Sequence, residues 1–237
     1  MLRQREPEWM DEDSADPGEL RRSLMFIERV NRYLRYTRSL IHHLEIASRR
    51  WKKGGTVTIL DIATGSGDVP QDVLAWGRRR GFDLRITGVD RHADTLQIAR
   101  ESTADDAIRF LRADALDLPF AKNSFDYVIC SMFLHHLSEE DAGKVIAAAD
   151  RIGRRGFFIA DLSRSRRALA WITLFTVFSN PMVKHDARVS VKQAFTRKEI
   201  LQIAHRAGVT GAVCHKHFGH RFVLAKQKMI DESPKSS

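Results

Sequence analysis

The sequence predicts a doubly wound α/β fold: a mostly parallel seven-stranded sheet with an antiparallel edge hairpin at the C-terminus and an N-terminal helical extension. Three observations predict it. Five short apolar runs between Val57 and Ala160 alternate with helix-like stretches, which is the pattern of parallel strands covered on both faces. A Gly-rich turn, Gly65-Ser66-Gly67, follows the first run. Two strand-like runs, Gly211 to Cys214 and Phe222 to Ala225, adjoin at the end, as in a hairpin closing the sheet edge.

Residues 1 to 18 are polar and acidic with two prolines, and such a segment buries too little apolar surface to offset its ordering entropy, so a disordered tail is expected. From residue 19 to 50, Ile27, Val30, Leu34, Ile41 and Leu44 recur at helical spacing with Arg21, Arg29, Arg32, Arg35 and Arg38 between them. This is an amphipathic helical cap, broken near Tyr36. Residues 51 to 237 form the main domain. Its strands are Val57 to Ile62, Leu84 to Val89, Ile108 to Leu111, Tyr127 to Met132 and Gly156 to Ala160, and its first helices run Pro70 to Arg80, Ala93 to Glu101 and Glu139 to Ile152. Pro70 suits a first helical turn, Gly81 a helix stop, and Ser138 an N-cap with Asp141 three residues on. An insertion at 163 to 195 interrupts the alternation with the uncharged stretch Ala168 to Val183. Thr196 and Glu199 then form a capping box for a helix reaching Ala207.

The composition, 43% hydrophobic and 29% charged over 237 residues, is that of a globular protein rather than a disordered polymer or a polytopic membrane protein. The net charge is +9, and with six acids against two bases in the first 18 residues the rest carries +13. That excess suits anionic partners, although surface solubility is the commoner reason for it. Cys130 and Cys214 make neither a C-x-x-C pair nor a zinc spacing, so a reducing compartment and no metal are expected. No secretory signal or transmembrane-length apolar stretch is visible, which points to the cytoplasm.

The chemistry concentrates in Asp61-Ile62-Ala63-Thr64-Gly65-Ser66-Gly67-Asp68. A strand ending near an acid and entering a Gly-rich turn lets backbone N–H groups approach a nucleotide at a helix N-terminus. Alone, it is equally a tight strand-to-helix turn without a ligand. Asp90 ends the second strand, where a carboxylate can accept ribose hydroxyls, and Asp114 follows the third. Each acid alone could be a helix cap, but three at successive strand ends point to one shared crevice beyond the carboxyl edge of the sheet.

Together with Gly88-Val89-Asp90, Ala113-Asp114-Ala115 with Leu118-Pro119-Phe120, and Ser124-Phe125-Asp126-Tyr127-Val128, this segment resembles class I S-adenosylmethionine-dependent methyltransferases over about residues 57 to 162. It is most similar to the ubiquinone and menaquinone biosynthesis group, with Ala63 where many members have a first glycine. The resemblance implies a Rossmann-like fold and S-adenosylmethionine as cofactor. It places Asp61, Ala63, Gly65, Gly67, Asp90, Arg91, Asp114, Ala115 and Ser131 at the cofactor, with Gly65 and Gly67 under its methionine part, Asp90 at the ribose, and Asp114 with Ala115 at the adenine. Pro70 occupies the place of the third dinucleotide glycine, which favours this cofactor over NAD.

A general base is needed only where the acceptor must lose a proton. His135 and His136, after the fourth strand, and His185, beside Asp186, are the candidates; a structural or cofactor-contact role for the first two, and an exposed loop position for the third, stand beside that reading. Trp171, Phe175 and Phe178 in the insertion, with Leu174, would line a lid over a small lipophilic or aromatic acceptor, phenolic, quinone-like or polyketide-like. A helix merely packed on the sheet is the alternative. Arg164, Arg166 and Arg167 would suit an anionic membrane surface or simple solvation. RNA methylation and non-catalytic cofactor binding are the competing functions. The absence of an RNA-binding module and of an Asn/Asp-Pro-Pro-aromatic motif after the fourth strand weighs against RNA, and no DNA partner is expected. The oligomeric state is left open.

Overall fold

The computed structural model describes residues 1–6, 37–52, 54–177, 179 and 181–228. Along the chain these form α1 (Thr37–Ser48), β1 (Thr56–Ile62), α2 (Asp68–Arg79), β2 (Asp83–Asp90), α3 (Ala93–Ser102), β3 (Ile108–Arg112) and β4 (Phe125–Ser131). A short 3₁₀ turn (Leu134–His136), α4 (Glu139–Ile152), β5 (Gly153–Leu162), α5 (Arg166–Phe175), α6 (Pro181–Gln193), α7 (Arg197–Arg206), β6 (Val213–His217) and β7 (Arg221–Gln227) follow.

The strands make one sheet in the order β3-β2-β1-β4-β5-β7-β6. The first five are parallel, and β7 runs antiparallel to both β5 and β6. This is the expected Rossmann-like architecture, with the hairpin folded so that its later strand lies inside and β6 forms the edge. The order reverses between β1 and β4, and that reversal opens a crevice at the carboxyl edge.

Strict alternation along the central strands divides the core. Val57 and Ile59 of β1, Tyr127 and Ile129 of β4, and Phe158 and Ala160 of β5 face one layer with Leu40, Leu44, Val73, Trp76 and Leu96 of α1, α2 and α3. Leu60, Ile62, Val128, Cys130, Phe157 and Ile159 face the other layer with Val145, Ile146, Ile200 and Ile203 of α4 and α7. The Val, Leu, Ile and Phe side chains among them each contribute about 1.5–3 kcal/mol on burial, so continuous apolar strands are what a two-sided sheet demands. The caps are also as expected: Ser138 Oγ accepts from Asp141 N at 3.0 Å, and Thr196 with Glu199 closes a reciprocal capping box.

At the amino edge, Asp126 is buried and accepts from Thr58 N at 3.0 Å, Arg154 at 2.5 Å and Arg155 at 2.8 Å. Burial alone would raise its carboxyl, but those partners hold it below the usual carboxylate range. It therefore pins β1 to the start of β5 as an anion.

Three expectations change. Met1 to Glu6 do not behave as a loose tail: Arg3 donates from Nε to the Gln193 carbonyl at 2.6 Å and lies over the Phe195 ring at 3.8 Å, and Gln4 N reaches the Lys192 carbonyl at 3.3 Å. A guanidinium that satisfies buried carbonyls offsets the ordering cost that the composition suggests. Residues 7–18, and 19–36 of the proposed cap, lie outside the described residues. The apolar insertion is two helices, broken where Pro181 starts α6. Arg164 is buried rather than solvated, with its guanidinium on the Ala194 and Met1 carbonyls and on Glu199. Among the described residues, no helix is long and apolar enough to cross a membrane.

His43 of α1 is buried against Phe158 and lies 3.0 Å, Nε2 to Nε2, from His217 of β6. Burial, then His215, His217 and His42, push its pKa from 6.5 down to about 4. The folded state therefore refuses a proton that the unfolded chain accepts, and stability falls as pH drops from about 6.5 to about 4, by up to about 1.4 kcal/mol per pH unit. Urea titrations across that window should show a shallower acid loss in His43→Leu than in the parent protein.

Candidate functional site

Beyond the carboxyl edge, β1 delivers Asp61, which is 1% exposed and accepts from Thr64 Oγ1 at 2.7 Å. Burial, only partly countered by Thr64 and reinforced by Asp68 and Asp90, raises its pKa to about 8. The chain then turns through Ala63 and Gly65, both at φ +56. Thr64 N donates to the Val89 carbonyl at 2.9 Å, and Gly67 N to the Thr64 carbonyl at 3.1 Å. Gly67, at φ +80, is the N-cap of α2 and supplies no side-chain cap. The first N–H groups of α2 are thus left facing the crevice, as an anionic or polar ligand requires.

Two glycines set how closely the strands approach there. A Cβ on Gly67 would lie 2.7 Å from the Phe110 ring, and a Cβ on Gly88 would lie 2.7 Å from Thr64 Oγ1 and 2.9 Å from the same ring. Phe110 of β3 fills the space that both leave. Gly65 N donates to Asp90 Oδ2 at 3.1 Å, while Oδ1 of the same carboxylate accepts from His92 N at 3.0 Å. Each oxygen of Asp90 keeps a further lone pair, on a half-buried side chain at the mouth. Asp61, Gly65, Gly67 and Asp90 are thus joined through Thr64 and Val89 into one hydrogen-bonded cradle, with Ala63 in the turn between them.

The other predicted positions stand around it. Arg91 is exposed and donates from Nε to His92 Nε2 at 2.9 Å, so its side chain braces the loop after β2. Asp114 is exposed beyond β3, with Oδ1 accepting from Leu116 N at 2.9 Å, and Ala115 packs on the second core layer. Ser131 ends β4, half-buried and paired in register with Ala160. The next residue, Met132, takes φ +56, and such strain at a strand end is common where a site is shaped.

His135 is 2% exposed and doubly tied to Asp161 at the end of β5: its backbone N donates to Oδ2 at 2.9 Å, and Nδ1 lies 2.6 Å from Oδ1. The His136 ring lies tilted against it, 4.2 Å between centroids, and is half-buried. His185 is on helix α6, not on a loop, with Nδ1 3.0 Å from Asp186 Oδ1. Helix α6 packs on the 3₁₀ turn that carries the other two histidines. Trp171 stacks on Phe175 at 5.1 Å, but Phe175 is 40% exposed; Phe178 lies outside the described residues. Sequence reasoning missed Asp161, whose partner is remote in the chain, and Arg3, which donates to the His135 and Leu137 carbonyls at 3.1 and 2.7 Å. Among the described residues, no group of three or more His, Cys, Asp or Glu side chains is arranged to hold a metal ion.

Residues 59–156 match the family described as a methyltransferase domain. The demethylmenaquinone methyltransferase of Porphyromonas gingivalis is 34% identical over 90 residues, 36% of each chain. The ubiquinone/menaquinone biosynthesis C-methyltransferase of Rickettsia akari is 32% identical over 98 residues, 40% of this chain and 39% of the relative. The matches thus span well under half the length of these relatives. Among solved structures, a SAM-dependent methyltransferase from Aquifex aeolicus superposes with a TM-score of 0.61 over 90% of this chain and 98% of that one, at 15% identity. The magnesium protoporphyrin IX methyltransferase of Synechocystis gives 0.58 over 83% and 84%, at 14% identity. The fold is shared well beyond the segment in which the sequence is.

Two predictions follow from the turn. Ala63 occupies the left-handed region, which costs an L-residue about 1–2 kcal/mol, so Ala63→Gly should raise stability by up to about 1 kcal/mol in chemical denaturation. Because Asp61 holds its proton up to about pH 8 when folded, against 3.8 ordinarily, the ligand-free protein should lose stability as pH rises through that interval. Asp61→Asn should flatten that part of the pH–stability curve.

Proposed function

We propose that the protein transfers a methyl group from S-adenosylmethionine to oxygen or carbon of a small lipophilic or aromatic acceptor, of quinone-like, phenolic or polyketide-like character. The observation that carries this reading is the cradle in which Gly65 N binds Asp90 Oδ2. It ties the Gly-rich turn to the end of β2 and leaves Asp90 with free acceptor capacity beside the open N-terminus of α2. The methyltransferase domain match and the quinone-directed names of two relatives support it.

The residues present suit this cofactor. Asp90 would accept ribose hydroxyls, Asp114 and Ala115 would meet the adenine, and the turn at Gly65, where a Cβ would meet nothing within 4 Å, would admit the methionine part. When bound, S-adenosylmethionine supplies a methyl group activated by its sulfonium. What remains for the protein is alignment, which is worth several kcal/mol in a displacement, and management of one acceptor proton.

On this reading the proton goes to His135. Asp161 orients the His135 ring through Nδ1, and a carboxylate that fixes an imidazole in this way is the arrangement a general base uses. Removing the proton from a phenolic acceptor would raise its nucleophilicity at oxygen or at a ring carbon. His136 and the His185–Asp186 pair stand as further groups on the same side. Residues 163–195 would cover the acceptor as a lid.

Calorimetry with S-adenosylmethionine tests the first step: Asp90→Ala should weaken binding at least about tenfold, the loss of one to two hydrogen bonds at a carboxylate, and unchanged affinity would overturn the assignment. For the second, His135→Gln should keep cofactor binding while slowing turnover of a hydroquinone acceptor by about 10²–10⁴. The mass and regiochemistry of the product distinguish oxygen from carbon transfer.

A further inference from the structure

The insertion helix presents its apolar side outward. Ala168 of α5 is buried against the body, while Leu174 is 74% exposed, Phe175 40% and Val177, just past the helix, 46%. Arg167, Ala170, Leu174 and Val177 are spaced three, four and three apart, so they form one outward stripe, cationic at its start and apolar at its end. A second protrusion stands at the same edge of the sheet. Phe218, at the tip of the β6–β7 turn, is 95% exposed. That turn is tethered to the start of the insertion by Ser163 N donating to the His220 carbonyl at 2.7 Å.

The charge around these side chains has one sign. Between Leu162 and Lys198 the chain carries eight basic residues and one acid, Asp186. Asp186 is buried and lies against His185. Arg166, Arg167 and Arg188 are exposed and Lys184 is half-buried, and among the described residues no carboxylate pairs with any of them. Arg164 is withdrawn from the surface by Glu199, so it takes no part.

We propose that the outer face of α5 and the β6–β7 turn dock the protein on an anionic lipid bilayer, with Leu174, Val177 and Phe218 entering the acyl boundary and Arg166, Arg167, Lys184 and Arg188 meeting the headgroups. Exposed apolar side chains flanked by unpaired cations are what interfacial binding requires. A second copy of the chain is the poorer occupant, because it would bring the same unpaired cations to the contact. The surface also suits the proposed acceptor, since α5 packs on α6 and α6 on the turn bearing His135. A lipophilic molecule would pass from bilayer to crevice along this side. The docking itself does not depend on methyl transfer and is tested without it.

Sedimentation with vesicles of phosphatidylglycerol mixed with phosphatidylcholine, and with phosphatidylcholine alone, measures the docking. The full chain should bind the anionic vesicles, bind the neutral ones at least about tenfold more weakly, and be released by salt as screening shortens the attraction. Leu174→Glu combined with Phe218→Ser should abolish binding, and Arg166→Gln with Arg167→Gln should weaken it on the order of tenfold or more. All four side chains are exposed, so the unfolding midpoint and calorimetric binding of S-adenosylmethionine should stay as in the parent. No binding to anionic vesicles, or full binding by the Leu174→Glu/Phe218→Ser variant, overturns the proposal. So does a concentration-dependent dimer in light scattering that Leu174→Glu dissolves, which would assign the face to a second copy.

Discussion

The carboxyl edge of the sheet depends on a steric constraint at two points. Gly67 and Gly88 have no side chain, and the Phe110 ring occupies the volume that a Cβ on either would need. Because that ring is shared, the Gly-rich turn, the second strand and the third are held at one mutual distance. The Gly65–Asp90 hydrogen bond and the Thr64–Val89 backbone bond both follow from it. A larger residue at either point would have to move backbone or ring, and protein interiors are too dense to absorb that shift without cost. The cradle is thus a consequence of packing beneath it rather than of its own polar contacts.

The turn that carries the histidines is built differently, from long-range polar ties. Asp161 reaches from β5 to fix His135 after β4, and Arg3 caps the carbonyls of the same turn from the N-terminus. Arg164 then links the end of β5 to the capping box of α7 through Glu199. Buried polar groups of this kind are costly unless all are satisfied, so the turn carrying the histidines is stable only when the N-terminal hexapeptide, β5 and the insertion are in place together. The glycine cradle and the histidine turn are in this sense separately built halves of the carboxyl edge, on either side of the point where the strand order reverses.

Legibility followed the range of the interaction. Ser138 with Asp141 and Thr196 with Glu199 were readable because a cap is written within four residues, and the strands because their apolar runs are local. Asp61 and Asp90 were readable with Gly65 and Gly67 because the acids stand at the ends of two strands and the glycines in the turn after the first, although the hydrogen bond joining Gly65 to Asp90 was not. Asp161 was not singled out: a carboxylate closing a strand looks the same whether it faces solvent or a histidine 26 residues away. Arg164 was misread as a solvated charge for the same reason, since its partner Glu199 follows 35 residues later. The insertion was legible as apolar, but not as a helix turned outward, because helical spacing marks a face without saying which way it points.

The sequence by itself determined the alternation of strand and helix, the helix caps, the glycine turn and the acids at the strand ends, since these rest on backbone conformation and on periodicities within a few residues. Only the tertiary structure decided which groups touch. It placed Phe110 beneath two glycines, bound His135 to Asp161, seated Arg3 on the chain's own carbonyls, buried Arg164 and left Leu174 and Phe218 in the open. Contact and exposure are properties of the packed chain, and a residue's type constrains them only weakly when its neighbours come from elsewhere in the sequence.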